Sequence, residues 1–182
     1  ALAFLNRVCT GPGNRVLVNG ASGAVGSAAV QLAKHRGAHV TGVTSAAHRD
    51  LVLRLGADEV IDYAVSDFAA NGDLYDVIVD CVGNAPFERA AASVRPGGAL
   101  LLVVTDRKGL FGAARQSRAS GKVVSAASVP YTPESMAALS RLAGSGVIRP
   151  VIDRTYPLAD IVDAHRYVDA GHKAGSVILT LA

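Results

Sequence analysis

Tryptophan is absent from this 182-residue chain, methionine occurs once, and all aromatics together make up only 5% of it. Charge is also scarce, at 18% of residues, while half of the chain is hydrophobic; a composition of this kind excludes intrinsic disorder. There are two cysteines, Cys9 and Cys81, too few and too far apart for a disulfide framework or a zinc-ligand spacing. No apolar run approaches the roughly 20 residues of a membrane helix. The opening segment ALAFLNRVCTGPGN lacks the basic start and cleavage site of a secretory signal, so a cytoplasmic location is expected. The length suits one principal domain with a real core.

The net charge of +3 is mild, and its one local concentration is DRKGLFGAARQSRASGK, residues 106 to 122. With little aromatic interleaving, this stretch is expected to be a solvated helix face or loop, and neither nucleic acid nor a membrane is expected as a partner.

What the chain does have is a regular alternation of patterns. Apolar strand candidates fall at residues 15–19, 39–44, 59–62, 75–81, 99–104 and 122–127. Helical patterns lie between most of them, at 25–36, 46–55, 86–94 and 108–119. Strands that are apolar throughout suit a sheet buried on both faces by helical crossovers. The fold class is therefore α/β, a doubly wound Rossmann-type parallel sheet. Gly37, Gly56 and Gly72 are placed to stop helices, and Pro96-Gly97-Gly98 to turn the chain before a strand. Beyond residue 130, Thr132-Pro133 predicts a capped helix to about Gly144. A short strand around Val151 to Asp153, a helix in LADIVDAHRYVDAG and a strand from Ser176 to Leu181 complete a C-terminal extension. The expected division is 1–150 for the sheet domain and 151–182 for the extension.

Between the first strand and the first helix stands Gly20-Ala21-Ser22-Gly23-Ala24-Val25-Gly26. Its G-x-x-G-x-x-G spacing is a variant of the dinucleotide fingerprint. A tight turn without bulky side chains lets a pyrophosphate approach the backbone, and the helix start supplies amides and a favourable dipole. An NAD site usually adds a carboxylate at the end of the second strand, for the ribose 2′-hydroxyl. Here that place reads Thr44-Ser45-Ala46-Ala47-His48-Arg49, two hydroxyls followed by a basic pair. A carboxylate would repel a 2′-phosphate and these groups would stabilise it, so NADP(H) is the expected cofactor.

The same glycine turn occurs in extended short-chain dehydrogenases, which need Tyr-x-x-x-Lys as an acid/base pair. Four residues after Tyr63, Tyr75, Tyr131, Tyr156 and Tyr167 stand Asp67, Val79, Ser135, Asp160 and Gly171, so that group is disfavoured. The segments VLVNGASGAVGSAAVQLAKHRGAHVTGVTS, LGADEVIDY, YDVIVDCVGN, RPGGALLLV, VIRPVIDRTYPL and AHRYVDAGHKAGSVILTL, in this order, resemble the medium-chain dehydrogenase/reductase superfamily, in its quinone-oxidoreductase-like branch. The resemblance runs from about residue 13 to the end of the chain. It implies a six-stranded cofactor domain of an enzyme that uses NADPH to reduce quinones, enones or related carbonyl compounds, commonly without catalytic zinc.

Residue by residue, the resemblance implies a pyrophosphate at Gly20, Ser22, Gly23, Ala24, Val25 and Gly26. It places the adenosine phosphate near Thr44, Ser45 and the basic pair with Arg49, beside Tyr63. Cys81-Val82-Gly83 would pass under the ribose, and Val103, Val104 and Thr105 would approach the nicotinamide. Two departures stand out: Ala47 occupies a place that is often basic in relatives, and Thr105-Asp106 follows a strand that relatives usually end with glycine. Asp106 would favour an oxidised ring or else point away. Only 19 residues precede Gly20, so most of a substrate domain is expected to lie outside this chain. No catalytic acid, base or metal ligand is assigned; Cys81 is expected to be a small buried residue and His165 a half-buried or interface one. Its final strand is expected to pair with the 151–155 segment or with a second copy in a homodimer. The functions left open are a cofactor domain of a quinone or enone reductase acting on a small molecule, the cofactor half of an enoyl-thioester reductase, and a nucleotide-binding module without turnover of its own.

Overall fold

A computed structural model describes residues 1–126, 132–171 and 173–181. After a short helix α1 (Leu2–Leu5), the chain runs β1 (Arg15–Asn19), α2 (Ala24–His35), β2 (His39–Thr44), α3 (Arg49–Arg54), β3 (Glu59–Asp62) and β4 (Tyr75–Asp80). It continues through α4 (Phe87–Ala90), β5 (Val94–Leu102), α5 (Arg107–Ser120), β6 (Val123–Ser125), α6 (Pro133–Gly144), β7 (Ile152–Pro157), α7 (Ile161–Asp169) and β8 (Ser176–Thr180). Strands β1 to β6 form one sheet in the order β3-β2-β1-β4-β5-β6, with every neighbouring pair parallel. The doubly wound Rossmann-type α/β architecture read from the sequence is the one found.

The apolar strands are explained by burial on both faces. Val16 and Val18 of β1, Val77 and Val79 of β4, and Ala99 and Leu101 of β5 pack into one core with Ala29, Val30 and Leu32 of α2. The alternate residues Leu17, Ile78, Leu100 and Leu102 enter a second core on the other face, with Phe68 and Tyr75. Successive side chains point to opposite faces, so RVLVN must be apolar at each central position. Burying each of the larger side chains stabilises the fold by about 1.5–3 kcal/mol. Helix α2 can lie this close to the sheet because Gly26 has no side chain; a Cβ there would stand 2.0 Å from the carbonyl oxygen of Gly20.

Several boundaries differ from the sequence reading. The expected helix 46–55 is a 3₁₀ turn (Ala46–His48) followed by α3. The expected helix 86–94 is α4 followed by a second such turn, Ala91–Ser93. Strand β5 starts at Val94 rather than 99, and Pro96-Gly97-Gly98 lies inside it: the pairing jumps from Tyr75↔Val94 to Val77↔Ala99, with Gly97 at φ 72°. A proline and a glycine within a strand mark such an irregularity. Because β5 ends at Leu102, Val103 and Val104 belong to the loop beyond it. Gly72 ends a series of turns and not a helix. The expected strand 122–127 is β6; residue 127 lies outside the described residues. The basic stretch is helix α5 and the turn after it, and Asp106 is its N-cap, accepting from the Gly109 amide at 2.8 Å.

Helix α6 starts as its sequence predicts, with Thr132 and Ser135 exchanging cap hydrogen bonds and Pro133 in the first turn. Strands β7 and β8 then pair in parallel as a separate two-stranded sheet, so the final strand's partner is the chain's own 152–157 segment. Helix α7 buries only Ala164, and His165 is exposed rather than half-buried. Two sets of hydrogen bonds among the described residues hold this extension, and the segment that leads into it, against the sheet domain. The buried Gln31 side chain of α2 donates to the Arg149 carbonyl and accepts from the Arg149 amide. The Gly175 amide donates to the Ser22 carbonyl at 2.7 Å, inside the glycine turn.

Candidate functional site

In this strand order the chain reverses direction of growth between β1 and β4, and open α/β sheets bind ligands in the crevice at such a switch point, beyond the carboxyl ends of the strands. A cleft of about 400 Å³ opens there. Its floor is the glycine turn: Gly20, Ser22 and Gly23 line it. The Gly20 and Ala21 amides donate to the Val43 carbonyl, locking the turn to the end of β2. The Thr44 hydroxyl donates to the Ser22 hydroxyl at 2.9 Å. Helix α2 begins directly behind, with Gly23 as an N-cap that offers no side-chain acceptor and with no acidic residue in the first turn. The opening amides of a helix have no intrahelical partner, so this end offers hydrogen-bond donors to the cleft.

One side of the cleft carries Thr44, Ser45, His48 and Tyr63, the other Cys81 and Val82. The Ser45 hydroxyl lies 3.4 Å from Nδ1 of His48. Among the described residues, no aspartate or glutamate lines the cleft. Burial pushes the Cys81 thiol up to about 12, which keeps it neutral, although the residue is half-buried at the cleft wall and not fully buried as expected.

Of the residues singled out in the sequence, Gly20, Ser22, Gly23, Thr44, Ser45, Tyr63, Cys81 and Val82 thus come together. Ala24, Val25 and Gly26 form the first turn of α2 behind the floor. Gly83 abuts Val104: a Cβ on the glycine would stand 2.9 Å from a Val104 methyl, so the loops after β4 and β5 meet beyond the cleft. Thr105 is partly buried ahead of α5 and is not part of the lining. Arg49 is exposed, and its guanidinium donates to the Val60 carbonyl of β3 at 3.1 Å instead of facing the cleft.

Several lining residues escaped the sequence reading. Asn19, the last residue of β1, is 4% exposed and donates to Asp80 at 2.8 Å and to Asn84 at 2.7 Å. Asp80, fully buried at the end of β4, also accepts from the amides of Val82, Gly83 and Ala85 and so shapes the Cys81–Gly83 loop. A polar residue closing an otherwise apolar strand was the available signal. Val168, Gly171 and Lys173 come from the C-terminal extension and form the outer wall. Nothing local in the sequence marks them. A larger cavity of about 690 Å³, between α4 and α5, holds none of the glycine-turn residues.

A dinucleotide fits this donor set: backbone amides for the pyrophosphate, hydroxyls and an imidazole for a ribose edge, and apolar walls for rings. A metal does not, because among the described residues no group of three or more His, Cys, Asp or Glu comes together that could hold one. No described helix is long and apolar enough to cross a membrane.

A Rossmann-type sheet with a glycine-turn cleft at its switch point is the α/β architecture found also in the structural relatives. Residues 55–179 match the zinc-binding dehydrogenase family, and the chain belongs to that family, within the medium-chain dehydrogenase/reductase superfamily. It is 33% identical over 195 aligned positions to a mouse (Mus musculus) mitochondrial protein named NAD(P)H oxidoreductase RTN4IP1, covering 93% of this chain and 48% of that one. Among solved structures it resembles the quinone oxidoreductase from Coxiella burnetii with a TM-score of 0.86 and 25% identity, over all of this chain and 57% of the other. A mycobacterial protein solved in complex with NADPH is similar at a TM-score of 0.75 and 26% identity, over 98% of this chain and 60% of that one. The chain thus spans about half the length of the relatives it matches.

Proposed function

We propose that this chain is the cofactor-binding part of an oxidoreductase that takes NADPH in preference to NADH and transfers its hydride to a quinone, an enone or a related carbonyl compound. The observation that carries the reading is the cleft itself, a glycine-rich turn of small residues under a helix start without a side-chain cap, with hydroxyls and imidazole but no carboxylate at the end of β2. The bound cofactor would supply the hydride. The chain's own residues bind and orient. The turn from Gly20 to Gly26 would take the pyrophosphate, the Ser45 edge the adenosine phosphate, and Cys81 to Gly83 with Val104 would pack under the ribose and nicotinamide. The similarity to a quinone oxidoreductase and to an NADPH-bound protein supports this assignment.

No acid or base that could complete a reduction is assigned in this chain, and its relatives are about twice as long. On its own it should therefore bind cofactor and turn over little or nothing. The mouse relative is named as mitochondrial. Calorimetric titration with NADPH and NADH side by side tests the proposal. Tighter binding of NADPH is expected; tighter NADH binding would overturn the preference, and binding of neither would overturn the assignment of the cleft.

A further inference from the structure

Away from the cleft, a second concave surface carries charge of one sign only. It is a pocket of about 370 Å³ where the last turns of α2 and α3 meet the segment that leads into β7. Lys34 and His35 reach it from α2, Arg54 from α3 and Arg149 from that segment; among the described residues no aspartate or glutamate lines it. It shares no lining residue with the cleft. The cleft adjoins the start of α2 and this pocket its end, so the 12 residues of the helix hold them about 18 Å apart at about 1.5 Å per residue.

One of these charges is already answered, since the Lys34 ammonium donates to Asp58 at 2.5 Å. The side chains of His35, Arg54 and Arg149 have no hydrogen-bond or ion-pair partner among the described residues. Cations in the last turn of a helix complement its dipole, which accounts for His35 and Arg54 taken singly. It does not account for Arg149, which lies in no helix, or for where Arg149 is held. The Gln31 side chain, 9% exposed, donates to the Arg149 carbonyl at 3.1 Å and accepts from its amide at 2.8 Å. A buried amide thus fixes an unpaired arginine beside two helix ends that already carry positive charge. Such an arrangement repels itself, and a shared anion relieves it. The larger cavity between α4 and α5 differs, because Glu88 and Asp106 accompany its Lys108 and Arg115.

We infer that this pocket binds the phosphate group of a small molecule between the guanidinium groups of Arg54 and Arg149. A guanidinium presents a planar fork of donors that matches phosphate oxygens two at a time, and it is charged at every accessible pH. The volume falls at the lower end of small-molecule sites, which run from about 300 to 1,000 Å³, so it takes more than the phosphate itself. Leu55 and Val147 offer the less polar part of such a ligand an apolar surface. Arg54 belongs to α3 and Arg149 to the entry of the C-terminal extension, so one bound phosphate would cross-link the two.

The test titrates inorganic pyrophosphate into the isotope-labelled chain at low ionic strength and about pH 8, where an imidazole is ordinarily neutral and the arginines carry the charge. Backbone amide resonances locate the ligand and show whether each variant is folded. Those of Gly146, Val147 and Arg149 should shift with one saturable affinity, whatever happens at Gly20 to Gly26. That affinity should fall about tenfold in Arg54→Gln and in Arg149→Gln, the loss of one charge-assisted hydrogen bond. It should be unchanged in Arg118→Gln, which removes the same charge from α5. No shift at residues 146–149, or an equal loss in all three variants, would overturn the inference. So would pelleting with phosphatidic acid vesicles without any binding of pyrophosphate, which would assign the charges to a lipid surface.

Discussion

Asn19 and Asp80 stand directly opposite each other in the parallel pairing of β1 and β4, and the Asn19 side-chain amide donates to the Asp80 carboxylate at 2.8 Å. They are the last residues of two central strands, where the cores end and the cleft begins. Asp80→Ala would strip acceptors from Asn19 and from the amides of Val82, Gly83 and Ala85 together. A loss of about 3 kcal/mol or more is expected in urea unfolding. Asn19→Ala, which removes a donor and leaves Asp80 its three amides, should cost clearly less.

The docking of the C-terminal extension depends on a residue that cannot carry a side chain. Gly175 sits at φ 70°, and a Cβ there would lie 2.2 Å from the Val151 carbonyl oxygen. In Gly175→Ala the left-handed backbone alone costs about 1–2 kcal/mol, and the clash adds to it. The hydrogen bond to Ser22 should break, and limited proteolysis should cut between residues 150 and 175 much faster than in the unaltered chain. An unchanged digestion pattern would show that the segment is held by other contacts.

Acid should weaken the junction of α2 with β2. Burial disfavours the Asp58 carboxylate, but the Lys34 ammonium at 2.5 Å, the Val40 amide and the His39 imidazole outweigh it and hold the group below the usual range. A depressed carboxylate contributes stability above its unfolded pKa of about 3.9, and that contribution disappears as pH falls through the lower folded value. In Asp58→Asn the acid limb of the stability profile should therefore be shallower below about pH 4. Thermal midpoints across pH 2 to 7 would show it, and parallel profiles would contradict it.

The two thiols should differ sharply in reactivity. Cys9 is exposed, whereas burial pushes Cys81 to about 12. Iodoacetamide at about pH 8 should alkylate Cys9 alone in the folded chain and both after denaturation, as read by mass spectrometry of tryptic peptides. Modification of Cys81 at a rate comparable with Cys9 would show that its packing opens readily.

The inner strands of the sheet were legible because they are largely apolar runs that burial on both faces requires, whereas the edge strand β3 is a short Glu-Val-Ile-Asp segment that is only partly buried. The glycine turn was legible because its constraint is local: Gly26 must clear the Gly20 carbonyl a few residues away. What stayed hidden depends on distance along the chain. Arg49 and His48 are adjacent in sequence, yet a 3₁₀ turn gives way to α3 between them and sends one to β3 and the other to the cleft. The bulge at Gly97 reads as a turn unless the pairing with Tyr75 is known. Asn19 and Asp80 explain each other only once β1 and β4 are side by side.

The outer wall of the cleft has a further consequence. Strands β1 to β6 are complete by Ser125, but Val168, Gly171 and Lys173 come more than forty residues later. Domains assemble during synthesis from the N-terminal side. The emerging protein can thus stack its sheet while the glycine turn is still an open ledge, bare of its covering wall. Only when Gly175 reaches Ser22 do Val168, Gly171 and Lys173 complete the lining of the cleft, so within these residues the sheet is laid down before its site is walled.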